Sequence, residues 1–153
     1  MKSLEPAGMW IWLFPLTYLL HLAEEYWGGE GFPVWFSRLT GAHFTVDDFL
    51  ILNAIGWCLT VAAMGLVSVA SSCRFLLVAL GGVILLNACL HVTLSMVTLS
   101  YSPGAVSGLL CWAPLGIYAL RREWRELSHV AFGAGVAVAL GLHAVVSFSA
   151  MSR

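Results

Sequence analysis

Apolar and polar positions fall along this chain in long blocks. Apolar runs extend from about Gly8 to Tyr26, Asp48 to Ala70, Phe75 to Leu99, Pro103 to Leu120 and Ser128 to Ala150. Each approaches or exceeds the roughly 20 residues that a helix needs to cross a hydrocarbon core. The pattern predicts an all-α, polytopic bundle of about five transmembrane helices. Residues 1–153 read as one integral membrane domain. Pro15 falls inside the first run, where it predicts a kink or a freed carbonyl. Pro103-Gly104 opens the fourth run, and proline suits a helix's first turn.

The stretch Trp27 to Asp47 is too polar to span. Its Trp35, Phe36, Leu39 and Phe44 predict a short helix or loop lying at the membrane interface. Thr45 followed by Asp48 is a variant of the capping box and marks the start of the second helix.

Composition sharpens this reading. The chain is 60% hydrophobic and 10% charged, with a mean hydropathy of +0.89, outside the range of soluble domains. A net charge of −1 without a basic run gives no support for a nucleic-acid partner. Cys58, Cys73, Cys89 and Cys111 lack CxxC spacing and read as small buried apolar side chains. The first run has no small-residue cleavage site, so it reads as a spanning helix and not a signal peptide.

Lys2, Arg74, Arg121, Arg122 and Arg125 fall on one side of a five-span protein, and Arg38 and Arg153 on the other. The positive-inside rule then places the amino terminus in the cytoplasm and the carboxy terminus outside. The run Arg121 to Glu126 reads as a solvated cytoplasmic turn that sets this topology.

The polar residues inside the apolar runs carry the chemistry. His21, Glu24 and Glu25 are three and four residues apart, so their side chains share roughly 100° of helix arc. Charged groups at bilayer depth are costly and mark functional sites by default. No Lys or Arg lies at their depth. The glutamates must therefore be protonated, metal-bound or near water. His21, Asn53, His91 and His143 all lie roughly 9–14 Å below the outer helix ends at 1.5 Å per residue. Asn87, His91 and Ser95 form a stripe at i, i+4 and i+8, and His143 and Ser147 a second one. The pattern predicts one polar layer in the outer half of the membrane.

Catalytic candidates are His21, Glu24, Glu25 and His91. Metal-ligand candidates are His21, Glu24, Glu25, His91 and His143. Asn53, Trp57, Asn87, Ser95 and Tyr101 are candidates for substrate contacts or support. Gly104 and Gly108, and the small residues Gly133, Gly135, Ala139 and Gly141, read as close helix contacts that also allow homo-oligomers. The fourth run, without a charged or amide side chain, reads as scaffold or as part of a lipid-facing groove.

His21, Glu24 and Glu25, the Asn87 and His91 pair, and the Tyr101-Ser-Pro103-Gly104 turn together resemble small bacterial membrane proteins named for their HXXEE motif. The likeness covers about His21 to Tyr118. It implies that these polar residues act as one unit, in a bacterial cytoplasmic membrane, and it carries no reaction.

Three chemistries fit the layer. One is a metal-dependent enzyme, with zinc or iron on the His and Glu side chains, activating water or oxygen toward an apolar lipid or isoprenoid substrate. A hydrolase is one example. The second is a metal-free isomerase or cyclase in which a protonated Glu24 or Glu25 works as the acid. The third is a proton or metal-ion carrier. Against the carrier, the cytoplasmic half continues no polar stripe: below Trp57, Thr60 is followed by no polar side chain until Ser68 near the end of the run, and before Asn87 the chain reads LLVALGGVILL. A reporter fused after Arg153 is expected to be active outside the cytoplasm. A cytoplasmic carboxy terminus would move His143 out of the layer.

Overall fold

In the computed structural model of the chain, residues 7–152 are described. Met9–Trp12 forms a tight 3-10 turn. It runs into α1 (Leu13–Trp27). Pro15 thereby falls in the first turn of the regular helix, where its missing N–H costs nothing. The expected mid-helix kink is replaced by this change of helix type. After a Gly-rich turn, α2 (Phe32–Thr40) forms the short segment between the first two long runs, with Trp35 buried. The helix α3 (Val46–Val69) starts on a complete capping box. The Thr45 hydroxyl accepts from the Asp48 N–H, and the Asp48 carboxylate accepts from the Thr45 N–H.

A 3-10 turn, Ser71–Arg74, leads into α4 (Phe75–Thr98). The fifth helix, α5, is composite. It comprises Ala105–Ser107, a wide π turn over Gly108–Trp112, and Ala113–Glu126. Pro114 has no N–H to offer the carbonyl of Leu110, four residues back, and the wide turn sits on that gap. The chain ends in α6 (His129–Met151), capped by the Ser128 hydroxyl.

Central in the bundle is α4, packed along α5 on one side and α6 on the other. Small residues set the α4–α6 distance. A Cβ on Gly82 would lie 2.7 Å from the Ala139 Cβ, and one on Gly135 would lie 2.6 Å from the Val78 Cβ. Close backbone approach of this kind is how helices associate where lipid removes the hydrophobic drive. Ile11, Phe14, Met64, Leu77, Ile84, Trp112 and Leu115 form the apolar core. Many large side chains on the outside are apolar, among them Leu20, Ile51, Ile55, Leu59, Leu140 and Phe148.

Val46–Val69, Ser71–Thr98 and His129–Met151 are long and apolar enough to cross a membrane. The regular part of α1 has 15 residues, two of them glutamates. The π turn interrupts α5, and its last turns are charged. Length and composition thus support three of the five crossings that the hydropathy pattern predicts. Lys2 and Arg153, which enter the charge count, lie outside the described residues. Cys58 and Cys89 are exposed on the outer surface, against expectation, while Cys73 and Cys111 are half-buried against the apolar core.

The run Arg121 to Glu126 is not a solvated turn. It is helical, and Glu123 is wholly buried. Arg74 grips it with two parallel bonds, Nε to Oε2 at 2.9 Å and Nη2 to Oε1 at 2.7 Å. This fork ties the start of α4 to the end of α5. Removing one partner of such a buried pair costs about 3–5 kcal/mol, because a charge stays behind, whereas replacing both with apolar residues is often neutral. Glu123→Leu is therefore expected to lower unfolding stability in detergent by about that amount. Arg74→Met combined with Glu123→Leu is expected to recover most of the loss.

Candidate functional site

The spacing of His21 and Glu25, one helical turn apart on α1, aims both side chains at α4. There they meet His91. The Nε2 atom of His21 lies 3.5 Å from Glu25 Oε1, and the Nε2 atom of His91 lies 3.2 Å from the same oxygen. All three side chains are buried, at 1%, 5% and 3% exposure for His21, Glu25 and His91. One potential ligand atom from each falls within 4.8 Å of the other two.

Both imidazoles are fixed from behind. The Nδ1 atom of His21 pairs with the Ser107 hydroxyl at 2.8 Å, and that of His91 with the Ser102 hydroxyl at 2.9 Å. Trp112, brought inward by the π turn, stacks on the His21 ring with centroids 3.7 Å apart. Phe32 from α2 lies against His91 at 5.6 Å. The fourth wall is backbone. Gly104 has φ +100°, a region that suits glycine. A Cβ there would lie 2.8 Å from His21 Cε1, 3.0 Å from His91 Cε1 and 3.1 Å from Glu25 Cγ. The Gly104–Gly108 pattern therefore does more than pack helices, since Gly104 leaves the space that the cluster occupies.

The two glutamates part company. Glu24 turns away from Glu25 and takes the start of α5. Its Oε1 accepts from the Tyr101 hydroxyl at 2.6 Å and from the Val106 N–H at 2.9 Å, and its Oε2 accepts from the Ser107 N–H. Burial first, and then the Glu24 carboxylate, raise the Tyr101 hydroxyl to about 12, so it remains a donor. His143 is half-buried on α6 and lies outside the three-residue group. Glu24 and His143 are thus not in the converged ligand set, although the sequence pattern placed them there.

The remaining candidates brace the surroundings. Asn53 accepts from the Tyr18 hydroxyl and donates to the Phe49 carbonyl. The Trp57 indole donates to the Pro15 carbonyl. The Ser95 hydroxyl accepts the Ser102 N–H and so holds the serine behind His91. The amide oxygen of Asn87, one turn before His91, is buried without a hydrogen-bond partner. Ser102, Gly104, Ser107 and Trp112 were not singled out as site residues by the sequence. Their signal lay in the Tyr101 to Gly104 turn and in the serine one turn beyond, within a run otherwise read as scaffold.

Two of the three ligand-atom separations match a tetrahedral ion. With bonds of about 2.0–2.1 Å, neighbouring ligand atoms on zinc are about 3.3 Å apart. The two Nε2 to Oε1 separations, 3.5 and 3.2 Å, lie close to that edge length. Two imidazoles and one carboxylate also form the set that holds catalytic zinc or non-haem iron with an open position.

A family described as "Protein of unknown function with HXXEE motif" matches residues 12–119. The chain belongs to that family. No curated protein and no solved structure matches it. Gly104→Ala is expected to destabilise the fold by more than Gly41→Ala does. Gly41 also has positive φ, at +76°, but nothing lies within 4 Å of its Cβ position. That control carries backbone strain alone, on the order of 1–3 kcal/mol. Equal melting temperatures for the two variants would mean that the cluster yields freely.

Proposed function

We propose that this HXXEE protein is a small intramembrane metalloenzyme in which His21, Glu25 and His91 hold one divalent ion, zinc or iron. The observation that carries this reading is the convergence of two imidazole Nε2 atoms on one buried carboxylate oxygen, with each Nδ1 tied to a serine hydroxyl. Ligating histidines characteristically bond through the other ring nitrogen to a group that fixes the ring. A bound ion would also explain how a carboxylate and two imidazoles share a site with no Lys or Arg beside them.

Three protein ligands leave the fourth position of zinc, or several positions of iron, for water, oxygen or substrate. The surroundings favour an apolar substrate. An open groove of about 390 Å³ lies between α4 and α5, lined by Val92, Met96, Val106, Leu109 and Leu110, with Ser95 as its polar member. Val92 follows His91, and the Val106 N–H holds Glu24. An acyl or isoprenoid chain could enter there from the bilayer. In this reading α1 and α5 complete five crossings, the amino terminus is cytoplasmic, and the site lies in the outer half of a bacterial cytoplasmic membrane.

A metal-free acid–base reading rests on the 3.2 Å contact between Glu25 and His91. It rests on Glu25 alone, because Glu24 accepts from three donors and behaves as a carboxylate. Metal analysis separates the two. Detergent-purified wild type is expected to carry about one zinc or iron per chain, and His21→Ala almost none. Chelation should lower the melting temperature, since a ligand at 100 times its Kd stabilises by about 2.7 kcal/mol. Metal-free protein, indifferent to chelators but inactivated by Glu25→Gln, would contradict the metal reading and favour acid–base chemistry.

A further inference from the structure

The corner where α5 ends and α6 begins carries more positive charge than its carboxylates offset. The last turns of α5 hold Arg121, Arg122 and Arg125 beside Glu123 and Glu126. Glu123 is already taken by Arg74. Among the described residues, the arginines held in ion pairs are Arg38 and Arg74. Arg122 turns toward the amino-terminal segment, where it donates to the Tyr118 hydroxyl at 3.1 Å and lies 5.6 Å from the Trp10 ring centroid. Arg121 and Arg125 are left without a carboxylate. They stand four residues apart on one face of the helix, a spacing at which like charges repel.

Both of these arginines line a cleft of about 360 Å³, with Leu120, Trp124 and Phe132 as its apolar members. Phe132 meets the Trp124 ring edge-on, with centroids 5.0 Å apart, and His129 lies 5.2 Å from it on the same helix. These contacts hold the indole across the corner. A charge that only sets topology needs nothing but water around it. Here two guanidiniums frame an apolar floor. One turn deeper on each helix, Ile117 and Val136 are exposed, and Leu140 continues that surface. The helix α6 is long and apolar enough to cross a membrane, so the corner at which it starts lies at a membrane surface. The chemistry that fits is an anion on an apolar tail. Guanidinium forks match phosphate oxygens, and tryptophan favours the level of the headgroups.

We propose that the α5–α6 corner binds one anionic phospholipid, its phosphate between Arg121 and Arg125 and its acyl chains along Ile117, Val136 and Leu140. Basic pockets between membrane helices recognise such headgroups. At 1.5 Å per residue, Arg121 lies roughly 24 Å along α5 from Ala105, next to the histidine cluster. The lipid site and the ion site are thus separate, and neither depends on the other.

The test uses the full-length protein in a neutral detergent. Bound lipid is counted by native mass spectrometry during titration with phosphatidylglycerol or with phosphatidylcholine of the same acyl chains. Wild type should bind one phosphatidylglycerol in preference to phosphatidylcholine. A basic residue at a membrane surface contributes about fivefold in affinity for anionic lipid, so Arg121→Gln combined with Arg125→Gln should weaken phosphatidylglycerol binding by about 25-fold. Arg38→Gln removes an exposed arginine from another part of the surface and should bind as wild type does. If the double variant does not fold, Arg125→Gln alone decides, with a loss of about fivefold. Equal binding of the two lipids by wild type, or a preference that survives in the double variant, would overturn the proposal. Displacement of the lipid by equimolar inorganic phosphate would assign the cleft to a free anion and overturn it as well.

Discussion

Glu25 between His21 and His91 is the constraint around which one end of this bundle is built. Two imidazoles and a carboxylate shielded from solvent are stable only when paired with one another or with a bound cation, because an unpaired buried polar group is costly. The surrounding structure is arranged to hold them together. α1 supplies two of the groups one turn apart, α4 supplies the third, and the turn into α5 supplies both serines. Gly104 has no side chain because there is no room for one. The π turn swings Trp112 over His21. Glu24 clamps the start of α5 on α1.

At the other end of α4 and α5, a second charged contact does a different job. The Arg74–Glu123 fork joins two buried opposite charges and lies against the apolar core. It ties α5 at its last turns as Glu24 ties it at its first. The small-residue seam between α4 and α6 completes the scaffold.

Much of this was legible in the chain. The HxxEE spacing placed His21 and Glu25 on one face, and the Asn87, His91 and Ser95 stripe placed the second imidazole. Thr45 and Asp48 announced their cap. Periodicity could not say which of two adjacent glutamates turns inward, because both lie within the same arc. The choice is made by the N–H groups of Val106 and Ser107, far away in sequence. Residue counting puts His143 at the depth of the cluster, yet it lies outside the three-residue group, and depth alone does not bring a side chain into a site. Ser102 and Ser107 were overlooked because hydroxyls are common in membrane helices and their roles here depend on a turn. Glu123 was misread because a charged run is usually solvated. Nothing local shows that Arg74, 49 residues away, reaches it.

X-ray absorption at the zinc edge of the zinc-loaded, full-length protein tests the central claim most directly. The account predicts a first shell of light atoms at about 2.0–2.1 Å, with the outer scattering of two imidazoles. His91→Ala should reduce this to one imidazole. A spectrum with no imidazole scattering, or one unchanged by His91→Ala, would contradict it.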